Sequence, residues 1–155
     1  MALDGGTFTT VEYVATGPHS GTIVRDGTVL EYDGLEPIFD NLSVTDRVIR
    51  TSNLTDNARL TDLGNQLSLV STDMIPTFES ITFAEPTNSL TINLGSDLGI
   101  PFGSDTDRLD IQALTFDGDL IVNGEAGLDE VTLSGNIYLN GNPLTINAEH
   151  IIVDP

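Results

Sequence analysis

LDIQALTFDGDLIVNGEAGLDEVTLSGNIYLNGNPLTINAEHIIV, residues 109–153, is the stretch that decides the fold. Within it Leu109-Asp110-Ile111-Gln112-Ala113-Leu114 returns as Val131-Thr132-Leu133-Ser134-Gly135 and again as Ile151-Ile152-Val153. A second row sets Leu114-Thr115-Phe116 beside Ile137-Tyr138-Leu139. A third sets Asp119-Leu120-Ile121-Val122-Asn123-Gly124 beside Pro143-Leu144-Thr145-Ile146-Asn147-Ala148. Self-similarity at a period of roughly 20 residues marks a solenoid, in which one coil buries its apolar face only by stacking on the next. The pattern predicts an all-β chain: a right-handed parallel β-helix (solenoid) with three rows per coil and an N-terminal antiparallel β-hairpin cap. Asn123 and Asn147 fall at the same place in successive third rows, so a ladder of asparagine hydrogen bonds is expected there. Asn136, Asn140 and Asn142 suit the turns between rows.

Outward from this stretch, residues 46–108 offer further strands: Arg47-Val48-Ile49-Arg50, Ala58-Arg59-Leu60-Thr61, Gln66–Val70, Glu79–Phe83 and Ser89–Asn93. Segments 73–78 and 97–103 each hold a proline that cannot donate to a ladder and are predicted to protrude, with Ile100 and Phe102 lying as a lid over the core. Residues 1–45 have another texture. Thr7–Val14 alternates, residues 15–21 read as a turn, and Asp26-Gly27 between Thr22-Ile23-Val24 and Val29-Leu30-Glu31-Tyr32 is a strong short-range hairpin signal. The expected organisation is therefore a hairpin cap at 1–45 and solenoid coils at 46–155 in one compact unit. An antiparallel cap would also cover strand edges that otherwise template aggregation.

Asp and Glu number 24 against 5 Lys and Arg, for a net charge of −19, and every cation is arginine. So negative a surface repels phosphate backbones and anionic headgroups, which disfavours nucleic-acid and membrane-surface partners. No apolar run approaches the ~20 residues of a membrane span, and the start MALDGGTF lacks the features of a signal peptide. Met1-Ala2 is compatible with an added start on a piece of a longer secreted chain. The chain has no cysteine, which removes disulfides, thiolate nucleophiles and cysteine zinc sites.

Gly21, Thr22, Ile23, Asp26, Gly27, Tyr32, Gly34, Leu35, Glu36, Pro37 and Ile38 together resemble a strand-pair motif ending in Gly-Leu-Glu-Pro-Ile. Phe83-Ala84-Glu85-Pro86-Thr87-Asn88-Ser89-Leu90-Thr91-Ile92-Asn93-Leu94-Gly95 extends the likeness. The chain resembles a repeat module of giant secreted bacterial surface proteins, of the haemagglutinin-like and LEPR-XLL type. That resemblance implies an extracellular or cell-surface, adhesin-like role and carries no catalytic residues.

Gly124-Glu125-Ala126-Gly127-Leu128-Asp129-Glu130-Val131 resembles one degenerate copy of the RTX nonapeptide, whose stacked turns hold calcium with carboxylate and carbonyl oxygens. One coil earlier lies Gly103-Ser104-Asp105-Thr106-Asp107-Arg108. Asp105, Asp107 and Asp129 are thus the candidate calcium ligands, and the competing use is turn capping, in which each carboxylate accepts main-chain N–H groups. No cofactor is otherwise required. Asp110, Asp119 and Glu130 could line one face in the manner of β-helix lyases and glycosidases, but the scarcity of cations removes the usual charge clamp. His19 and His150 are read as surface residues, and Asn41-Leu42-Ser43 and Asn53-Leu54-Thr55 as accidental sequons. The expectation is a non-enzymatic structural or adhesive module whose partners are neighbouring modules or copies of itself, assembling end to end. The alternatives are a β-helix that binds or processes cell-surface carbohydrate, with exposed aromatics such as Tyr138, and a calcium-dependent folding module.

Overall fold

A computed structural model describes residues 1–34, 37–95 and 106–154. Among these the chain is all-β, without helix. The strands are β1 Ala2–Leu3, β2 Thr7–Gly17, β3 Ser20–Arg25, β4 Thr28–Asp33, β5 Ile38–Asp40, β6 Ser43–Arg50, β7 Asn57–Asp62, β8 Gln66–Ser71 and β9 Ile81–Ala84. There follow β10 Ser89–Asn93, β11 Arg108–Ile111, β12 Leu114–Thr115, β13 Asp119–Asn123, β14 Glu130–Leu133, β15 Ile137–Tyr138, β16 Leu144–Asn147 and β17 His150–Val153. One sheet runs β1-β5-β9-β8-β7-β11-β14-β17, a second β16-β13-β10-β6-β2-β3-β4, and β12 pairs with β15 alone.

The rows of the C-terminal third stand in the register that the sequence predicts. Leu109, Val131 and Ile151 align, as do Ile111, Leu133 and Val153. Leu114 aligns with Ile137, and Leu120 and Val122 with Leu144 and Ile146. The cause is the two-residue period of a strand: a slip by one residue would turn every aliphatic side chain outward. In the second sheet the inward columns read Val11-Arg47-Leu90-Leu120-Leu144 and Tyr13-Ile49-Ile92-Val122-Ile146.

Both large sheets are nevertheless mixed, because the chain makes two antiparallel excursions. The first is the expected hairpin. Arg25 pairs with Thr28 across Asp26-Gly27, whose φ values of 45° and 84° suit the primed two-residue turn. The Asp26 carboxylate then accepts the N–H groups of Thr9 at 3.1 Å and Thr10 at 2.8 Å, tying the turn to β2. The second excursion is the β7-β8-β9 meander, and the sequence pattern does not announce its direction. Each excursion makes two reversals, so β4 again runs with β2, and β7 again runs with β9.

The N-terminal residues are more than a cap on the later strands. β1 pairs in parallel with β5, and β2 with β6, so both sheets begin ahead of residue 45. At the other end β17 is exposed, Ile151 at 51% and Val153 at 69%, although they continue columns that are buried further in. Segment 73–78 places Met74 and Ile75 in solvent while Phe78 is buried. The predicted lid at Ile100 and Phe102 lies outside the described residues.

Candidate functional site

Asp56, Asp107, Asp129 and Glu149 form a column at the corner ahead of β7, β11, β14 and β17. Each main-chain carbonyl accepts the N–H of the residue opening the next strand: Asp56 from Arg108 at 2.8 Å, Asp107 from Glu130 and Asp129 from His150, both at 2.9 Å. The main-chain N–H of each of these three aspartates in turn donates to the carboxylate at the corner of the adjoining strand. Asp56 N–H reaches Asp107 Oδ1 at 2.7 Å, Asp107 N–H reaches Asp129 Oδ1 at 3.3 Å, and Asp129 N–H reaches Glu149 Oε2 at 2.9 Å. The three aspartates are fully buried. Corner main chain withdrawn from water needs acceptors, and these carboxylates supply them.

Of the candidate calcium ligands, Asp107 and Asp129 therefore come together, and Asp105 lies outside the described residues. Among the described residues no group of three or more His, Asp or Glu could hold a metal ion. The RTX-like segment follows a packing requirement as well. A Cβ on Gly124 would sit 2.5 Å from Asp129 Oδ2, so glycine lets the carboxylate close against the corner. Asp129→Ala is expected to cost about 2 kcal/mol in urea unfolding by stranding the Asp107 N–H, and Asp129→Asn, which keeps the acceptor, well under half of that.

Asp56 opens the column and accepts the Ser52 hydroxyl at 2.8 Å. Burial pushes its carboxyl above the ordinary value, and hydrogen bonds from Thr77, Thr51 and Ser52 only partly oppose this. The folded state thus binds this proton more tightly than the unfolded chain. The contribution to stability is present in acid and is lost as pH rises through the raised folded value. Asp56→Asn, with hydroxyl neighbours able to accept from the amide, should melt higher than the wild type at pH 7. It should also show a smaller gain on acidification than the wild type; an unchanged gain would contradict this assignment.

A second ladder links the asparagines that end β10, β13 and β16, from buried Asn93 to exposed Asn147. Asn123 Nδ2 donates to Asn93 Oδ1 and Asn147 Nδ2 to Asn123 Oδ1, each at 2.8 Å. Asn93 extends the expected Asn123–Asn147 pair by one strand. The exposed arginines bridge strands in the same way: Arg59 to Asp110 at 3.1 Å, Arg108 to Glu130 at 3.4 Å, and Arg50 to Glu12 at 2.8 Å. Two of the three carboxylates considered for catalysis are thereby engaged. Asp110 also accepts from Ser134 and Gln112. Partial burial raises its carboxyl, but the bonds from Ser134, Arg59 and Gln112 outweigh that and hold it below the usual range. Asp119 stands at the start of β13 opposite Ser89.

His19 is half-exposed and lies 3.4 Å from the buried carboxylate of Glu79, at a cavity of about 210 Å³ also lined by Pro18, Pro37, Pro76 and Phe78. Burial, with the Glu79 charge, pushes the nearby Tyr32 hydroxyl up to about 12. Tyr138 on β15 and His150 on β17 are exposed.

Sequence reasoning missed Asp56 and Glu149, although each stands one residue ahead of a strand start, as Asp107 and Asp129 do. It also missed a buried ion pair. Arg47 and Asp40 each interrupt an inward column, meet inside the molecule, and are fully buried. Scanned against models of known families, the chain matches none, and no curated protein or solved structure matches it.

Proposed function

We propose that this chain is a non-catalytic structural module of a large secreted or surface-attached bacterial protein, built as a right-handed parallel β-solenoid with a hairpin at one end. The observation that carries this reading is the unbroken register of the C-terminal rows, with apolar columns inside and ladders of amide and acidic side chains linking neighbouring strands. Such a stack works as a stiff spacer or adhesive segment whose partners are neighbouring modules or copies of itself. The acidic surface keeps an extended array soluble by self-repulsion. The arginines of the outer face, already held by carboxylates of adjacent strands, are poorly placed to clamp an anionic polysaccharide.

Incubation with neutral and uronic-acid polysaccharides should release no new reducing ends and no unsaturated products. Turnover of any of them would overturn the reading in favour of a polysaccharide-processing β-helix. Since the corner carboxylates already serve main-chain N–H groups, melting temperatures in millimolar calcium and in chelator should coincide. A rise in calcium would instead mark a calcium-dependent folding module, because a ligand specific for the folded state stabilises it by mass action.

A further inference from the structure

We infer that the β16 edge of one copy pairs in parallel with the β4 edge of a second copy, so that the protein assembles head to tail. The inference rests on the stacked-module reading and deepens it by naming the partner strand and its direction.

β16 and β4 are the two edges of the second sheet. β13 and β16 run parallel with β10, β6 and β2. The β2-β3-β4 meander reverses twice, so β4 has the same direction as β16. One reversal fewer would have set the two edges antiparallel. As built, a second copy related by translation and rotation along the stack continues the sheet in the sense it already has.

The edge groups suit this. Pro143 and Asn147 accept from Leu120 and Gly124, so the odd positions of β16 face β13. In a parallel ladder the main-chain groups of Leu144 and Ile146 then point away from β13. The side chains match as well. Leu144 and Ile146 continue the inward columns of β16, while Leu30, partly buried, and Tyr32, buried, are the inward residues of β4. A register that sets Leu144 and Ile146 beside Leu30 and Tyr32 extends both columns across the seam, and a slip of one residue would break them. The contact joins two different surfaces, so each copy keeps one free edge after pairing, and the assembly grows into a filament or, if the rotation closes, a ring.

Light scattering on the 155-residue protein tests this. The mean mass should rise with concentration above 16.5 kDa, and more steeply in higher salt, because two bodies of charge −19 repel until screened. Ile146→Lys blocks one edge with an inward charge. Leu30→Lys or, as a second variant, Glu31→Pro blocks the other. Each variant alone should remain at monomer mass, and a mixture of the two kinds should form a one-to-one complex of twice that mass through the intact edges. An unfolded variant cannot give that complementation, so its appearance also reports folding. A wild type that stays monomeric at millimolar concentration overturns the inference. So does an Ile146-intact, β4-blocked variant that dimerises alone, which would mean tail-to-tail pairing. Neither result touches the polysaccharide assay, which reads the module proposal separately.

Discussion

Arg47→Ala is expected to destabilise the fold by about 4 kcal/mol, because it strands a buried carboxylate. Arg47 Nη1 and the Tyr13 hydroxyl both donate to Asp40 Oδ2, and the Leu42 N–H donates to Asp40 Oδ1 at 2.7 Å. The guanidinium lies over the rings of Phe83 and Tyr13, 5.0 and 5.7 Å from their centroids. Burial, reinforced by the Asp40 charge, pushes the Tyr13 hydroxyl up, so it stays a donor. Neither Nε nor Nη2 of Arg47 finds a hydrogen-bond partner among the described residues, so the pair carries an uncompensated desolvation cost. Intact, it therefore contributes little net stability, while breaking it from one side is expensive. Arg47→Met/Asp40→Asn, which retains the acceptor for Tyr13 and Leu42, should recover most of the loss. Urea unfolding of the single and double variants measures the difference. A single variant costing under about 1 kcal/mol, or a double no better than the single, would refute this account.

Gly95→Ala should cost about 3 kcal/mol or more, through overpacking against rigid neighbours. A Cβ there would lie 1.4 Å from the Ser52 carbonyl oxygen and 2.6 Å from its carbon. Both atoms are main chain, so no rotamer change relieves the clash. Gly95 N–H also donates to Thr51 Oγ1 at 3.0 Å, so moving away breaks a buried bond. The corner after β10 and the corner after β6 would have to separate, in the place where Ser52 supports Asp56. Gly64→Ala is a useful contrast, since a Cβ there meets nothing within 4 Å and only its φ of +100° is strained. Thermal unfolding should therefore rank Gly95→Ala well below Gly64→Ala, and equal melting temperatures would show that the two corners separate freely.

Much of this was legible in the residues themselves. The rows from Leu109 to Val153 align by eye because the same aliphatic alternation recurs at a nearly constant interval, and Asp26-Gly27 announces its own turn. The stacking of Asp107 near Asp129 and of Asn123 on Asn147 follows from the same register. What those side chains do there was less legible. A carboxylate at a corner serves a cation or a main-chain N–H with the same chemistry, and the choice turns on which donors the adjoining corner presents. Asp40 and Arg47 stood in the sequence as two ordinary charges, each amid alternating residues, with nothing local to mark them as interior.

By itself the sequence determined most of the strands, though not β1 or β5, where the primed turn falls, and how the last rows register, since each depends on neighbours in the chain or on a nearly regular repeat. Only the tertiary structure decided that β7, β8 and β9 fold back and forth, that two reversals restore the common direction, and that Asp40 meets Arg47. A period of two is the same read in either direction along a strand. A buried charge is tolerable only where a distant part of the chain brings its opposite.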